Sequence, residues 1–255
     1  MLMPALAALV APAAGVALFS ATGELGPLLI AMGLGLAAFA VALHLPARPR
    51  GGGRPADPAP GRPWLTQFVE PSALPGTLML VCFGSVSTLF SIFAPVYALA
   101  VGAPLGILVL YYPLYGLAQA IALPFGGRLS DGLGRGRSIS LGTFIAAAAL
   151  AIATTGGMVA FALAAMIYAL ASALVNPAIS ALTIERAPRG RIGSAMATYS
   201  IGYQIANGLS SVVWGALITI FGFPWPFVGA VVLQAVTLGL SRRLRPSQVA
   251  PLAAR

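Results

Sequence analysis

Between two long apolar runs the chain carries GGRLSDGLGRGRS, residues 126–138, with three arginines, one aspartate and five glycines. Charge gathered on a glycine-rich turn does the chemistry of ion pairing and close helix approach, not of bond making. Gly126 and Gly127 would let two helices come close together. Asp131 is spaced to meet the positive N-terminal end of a neighbouring helix. Arg135 and Arg137 can pair with Glu185, which ends a later apolar run. The plainer alternative is that these charges only stop the helices and orient them. A second kind of chemistry lies inside the runs, where polar groups are costly. Tyr111, Tyr115 and Gln119 recur at i, i+4 and i+8, and Tyr199, Tyr203, Asn207 and Ser211 recur with the same spacing, with Gln204 beside them. Each set therefore shares one helical face. Ser85, Thr88 and Ser91 fall in another run, and Asn176 precedes Pro177, which removes a helical hydrogen bond and is expected to bend its helix. Such stripes either line a path for an uncharged or amphipathic solute or bond helix to helix.

Other chemistry is poorly provided for. His44 is the only histidine and Cys82 the only cysteine, so no intrachain disulfide can form. The five acids, Glu24, Asp57, Glu70, Asp131 and Glu185, do not cluster in sequence. No zinc spacing, nucleophile motif or phosphate loop occurs, so neither an enzyme, a metal nor a cofactor is expected. None of the acids falls in the middle of an apolar run, so a carboxylate coupling a proton or other ion to solute movement would have to lie elsewhere.

The elements that must hold these residues follow from composition. The chain is 59% hydrophobic and 7% charged, too few charges to cover a soluble fold, which averages about 25%. Runs of about 20 apolar residues span a bilayer, and eight are predicted: 3–21, 28–45, 76–100, 104–125, 138–155, 158–184, 192–221 and 227–241. The first could be a signal peptide by length, but no basic residue precedes it, and it reads as a span. The 14 basic residues are all arginine. They lie in the segments 46–75, 126–138 and 186–191 and after residue 241; the alternate connections, 22–27, 101–103, 156–157 and 222–226, hold none. An arginine excess marks the cytoplasmic side, so both termini are expected there, in the inner membrane of a bacterium. The net charge of +9 is then explained by the lipid bilayer, and no nucleic-acid partner is expected. Residues 46–75 are rich in Pro, Gly and Arg and read as a cytoplasmic linker; residues 242–255 form a cytoplasmic tail.

An internal comparison relates the first pair of spans to the last. Gly15 matches Gly215 at an offset of 200, while Gly23 matches Gly222 and Pro27 matches Pro226 at 199. The pattern G-x-x-x-D-x-x-G-R-x-R across Gly127, Asp131, Gly134, Arg135 and Arg137 resembles the signature loop of the major facilitator superfamily, between the second and third helices of each six-helix half. PRGRIGSAMATYSIGYQIANG, residues 188–208, is similar to the family's start of the fifth helix of a half. Gly132 and Gly136 stand where members commonly carry basic residues.

The resemblance implies an all-α polytopic fold. Residues 1–45 would be the last two helices of an N-terminal bundle and residues 76–241 a C-terminal six-helix bundle, with the first four helices of the family absent. It implies a secondary transporter of small solutes by alternating access, of the efflux kind, with a coupling ion such as a proton where one is used; transport by this length alone is not expected. Gly127, Asp131, Gly134, Arg135, Arg137 and Glu185 would form the gate. Tyr111, Tyr115, Gln119, Asn176, Tyr199, Tyr203, Gln204 and Asn207 would line the substrate path, with the second, fifth and eighth spans peripheral and plainer in their middles. The alternative is a membrane protein that does not transport, a decayed paralogue or an interaction subunit.

Overall fold

The computed structural model describes residues 14, 15, 18, 21–23, 25–44, 69–188 and 190–243. Its regular elements are all helical among these residues. They are α1 (Leu25–His44), α2 (Leu74–Ser91), α3 (Ala94–Ala100), α4 (Leu108–Leu133), α5 (Arg135–Ala153), α6 (Met158–Arg186), α7 (Ile192–Phe221) and α8 (Pro224–Arg243). The 3-10 turns Pro71–Ala73 and Leu105–Ile107 lead into α2 and α4. Seven candidate spans result, each long and apolar enough to cross a bilayer. The expected span 3–21 lies largely outside the described residues, as do most of 46–75 and the tail beyond Arg243.

Helix α6 lies against α4 and α5, and α2 lies against α7 and α8; contacts of α5 with α8 and of α2 with α6 join the two groups. Small residues allow this density. In α6, Ala164, Ala165, Ala169, Ala171 and Ala178 are fully buried. A Cβ at Gly126 of α4 would overlap the carbonyl oxygen of Ala173 in α6. That carbonyl is the one that Pro177, four residues on and without an N–H, leaves unbonded. Helix α6 nonetheless runs unbroken through Pro177, so the proline opens a contact surface for α4 without ending its helix. An aromatic cluster fills the centre: Tyr97 stacks on Phe161 at 4.3 Å, and Phe90 packs on Phe161 and Tyr168 at 5.3 Å each.

The span predicted over 76–100 is broken. Ile92 and Phe93 separate α2 from α3, and both of their N–H groups bond to the Thr88 carbonyl. Pro95, in the first turn of α3, has no N–H for the Ser91 carbonyl. The carbonyls left at this break are satisfied from α4: Tyr111 donates to Phe90 O at 2.6 Å and Tyr112 to Ser91 O at 3.1 Å.

Helix α1 buries none of its residues. Its start nevertheless parallels that of α8. Gly23 and Gly222, with φ of 68° and 86°, precede them, and Pro27 and Pro226 are the third residue of each helix.

Candidate functional site: a charged helix junction and a polar strip

The stretch 126–138 is expected to be a loop between spans and is almost wholly helical. Gly127 and Asp131 belong to the last turns of α4, and Arg135 opens α5. Only Gly134 interrupts, with φ of 84°, a conformation that side chains rarely adopt. The physical reason is that a single left-handed residue reverses the chain direction, so no longer loop is needed. Ser138 fastens the junction by donating to the Gly134 carbonyl at 3.1 Å.

This junction brings three of the predicted charges together. Arg135 pairs with Asp131 one turn back, and its Nε lies 3.2 Å from Glu185 Oε1 at the end of α6. One guanidinium therefore joins three helix ends. Arg137 does not join them; it is exposed and has no ion pair among the described residues. No side chain caps α5 by a hydrogen bond, Asp131 included.

The polar stripes separate into buried and open parts. Tyr111 and Tyr115 are buried and stacked at 6.2 Å, and the Tyr111 hydroxyl is occupied at the α2–α3 break. Tyr199 is 9% exposed, and its hydroxyl donates to the Asn176 carbonyl at 3.5 Å. Tyr203, one turn along α7, is 44% exposed. Gln204 is exposed beside it, and Gln119 and Asn207 are half-buried. Asn207 Nδ2 donates to the Tyr203 carbonyl at 3.0 Å, and Ser211 donates to Asn207 O at 2.7 Å. Asn176 Oδ1 is buried with no hydrogen-bond partner among the described residues.

Helix α7 thus presents two uncovered strips. Ile201, Ile205, Leu209 and Val212 form an apolar one, suited to lipid or to another apolar helix. Ser200, Tyr203, Gln204 and Asn207 form a polar one, which is suited to neither. Within the bundle α4 and α7 are the least covered helices, 22% and 17% buried over their spans, against 44% for α5 and 33% for α8. Two of the helices expected to be peripheral, α5 and α8, are thus better covered than α4 and α7 but less than α2 and α6, at 67% and 61%, and the third, α1, buries none of its residues. The expectation that the middle of the eighth span is plainer needs correction: Gln234, in the middle of α8, is 1% exposed, and Thr237 is fully buried.

Two further residues escaped the sequence reading. Glu70, assigned to the linker, is 4% exposed at the head of α2. Its carboxylate accepts from Ser72 Oγ at 3.1 Å, its backbone N–H donates to Thr198 Oγ1 at 2.9 Å, and its Oε2 lies 3.0 Å from Arg191 Nε. An acid directly before a proline at the mouth of an apolar run was the available signal. Tyr168 of α6 is buried, stacks on Phe83 at 5.4 Å and donates to its carbonyl at 2.9 Å; a lone tyrosine without stripe spacing gave none.

The family model described as Major Facilitator Superfamily matches residues 107–254, from the foot of α4 through α8. It takes in the junction, both tyrosine stripes and Glu185.

Proposed function

The chain belongs to the major facilitator superfamily, a family of membrane transporters, and from that premise we propose that it moves small solutes by alternating access. In this reading the polar strip of α7 lines the path, and Asp131, Arg135 and Glu185 hold one end closed. The observation that carries it is the polar strip of Tyr203, Gln204 and Asn207 in the same bundle as a charge-paired junction. A strip of hydroxyls and amides without charge suits an uncharged or amphipathic solute. The described acids, Glu70, Asp131 and Glu185, sit at helix ends, so a coupling proton, where one is used, is not carried by a mid-span carboxylate of these helices. Export is the proposed direction, across a bacterial inner membrane with the arginine-bearing end in the cytoplasm. Two bundles rocking about a central site would supply the movement.

The test is flux of a solute panel in proteoliposomes. Tyr203→Ala and Asn207→Ala are expected to weaken apparent affinity for a transported solute while leaving protein levels near wild type. Equal loss of level and affinity would assign both residues to packing. Absence of flux and of solute binding across the panel would favour a membrane protein that does not transport.

A further inference from the structure

At the Gly134 junction a cavity of about 680 Å³ opens between the first turn of α5 and the last turn of α8. Arg137, Arg242, Ser140 and Ser241 line it, together with Gly134 and Arg135. The two serines bridge the helices, Oγ to Oγ at 3.2 Å. Arg135 is committed to Asp131 and Glu185, but Arg137 and Arg242 are exposed and have no ion pair among the described residues. Nor is a described acid left for them. Glu70 faces Arg191, and Asp131 and Glu185 face Arg135. The uncapped N-terminus of α5 adds partial positive charge at the same place.

Depth decides which anion fits. Helix α5 has 19 residues, roughly 28 Å at 1.5 Å per residue, close to the bilayer hydrocarbon thickness. Its first turn and the last turn of the antiparallel α8 therefore lie at headgroup level. Two adjacent arginines there attract an anionic headgroup, whose acyl chains remain in the bilayer beside the helices.

We propose that this cavity binds the phosphate headgroup of an anionic phospholipid, held by Arg137 and Arg242, with the Ser140 hydroxyl, which can turn from Ser241 to the phosphate, as a further donor. The site is separate from the solute path and does not depend on it.

The experiment uses the full chain in nanodiscs of phosphatidylcholine with a minority of phosphatidylglycerol. Lipid retained after mild extraction is identified by native mass spectrometry, and unfolding temperature in phosphatidylcholine alone serves as the folding check. Wild type is expected to retain phosphatidylglycerol about tenfold above its share of the mixture. Arg137→Gln/Arg242→Gln is expected to lose this enrichment. Arg128→Gln/Arg243→Gln, with the same loss of charge outside the cavity, is expected to keep it. Should the first double variant fail the folding check, Ser140→Val is expected to reduce the enrichment with both arginines in place. Equal loss in the two arginine pairs would show diffuse attraction and overturn the site. So would retention in proportion to the mixture, or full displacement by millimolar inorganic phosphate, which would make it a site for free anions.

Discussion

Arg135 Nε lies 3.2 Å from Glu185 Oε1 while the same guanidinium holds Asp131, so one side chain ties the ends of α4 and α6 to the start of α5. Glu185 is 44% exposed and Asp131 69%, and exposed pairs are each worth about 0.2–1 kcal/mol. That is too little to hold the fold together and enough to bias a two-state equilibrium. Asp131→Asn is expected to raise the population open at this end about twofold to fivefold, read from spin-label distances across the junction. Unchanged populations and an unchanged transport rate would remove the gating role.

Tyr111 and Tyr203 are expected to part company. The Tyr111 hydroxyl serves the Phe90 carbonyl at the α2–α3 break, so Tyr111→Phe leaves a buried acceptor unpaired and costs about 1–3 kcal/mol. Thermal unfolding in detergent should register that loss, with solute affinity unaltered. A changed affinity at wild-type stability would return Tyr111 to the solute path.

Gly126 and Gly127 are expected to differ sharply. A Cβ at Gly126 would strike the Ala173 carbonyl, whereas one at Gly127 meets nothing within 4 Å. Gly126→Ala should destabilise by about 1–3 kcal/mol as α4 is pushed from α6. Gly127→Ala should be neutral or stabilising by a few tenths, since alanine is the better helix former. Equal unfolding temperatures for the two would mean that α4 and α6 are not in close contact there.

The clasp between Glu70 and Arg191 fixes the head of α2 to the start of α7. Arg191→Ala leaves a nearly buried carboxylate without its cation, at a cost of roughly 3 kcal/mol. Glu70→Gln/Arg191→Ala should recover much of that stability, because a neutral amide is less costly to bury. A double variant no more stable than Arg191→Ala would show that Arg191 acts through other contacts.

Much of this arrangement was legible in advance because the bilayer imposes simple rules. Run length announced the helices, and the i, i+4 recurrence of Tyr199, Tyr203 and Asn207 put them on one face of α7. The pairing of Arg135 with Glu185 could be foreseen because both fall at the ends of apolar runs on the arginine-bearing side. What stayed hidden depends on neighbours distant in sequence. Whether a tyrosine faces a path or a broken helix is decided by Pro95, sixteen residues before Tyr111. Whether Glu70 is solvated or buried depends on Arg191 and Thr198. The 126–138 stretch looked like a loop because glycine and charge usually signal one, yet Gly134 alone makes the turn.

The central claim is that the polar strip of α7 faces a water-filled path and the neighbouring apolar strip does not. Cys82 is the only cysteine and is buried, so a Cys82→Ala background allows single cysteines to be placed at Tyr203 and Asn207 on one strip and at Ile205 and Val212 on the other. Labelling in native membranes by a charged thiol reagent is the measurement. Cysteines at 203 and 207 are predicted to react at least tenfold faster than those at 205 and 212, since a charged reagent partitions poorly into hydrocarbon. Equal rates on the two strips, or faster labelling at 205 and 212, would contradict the account.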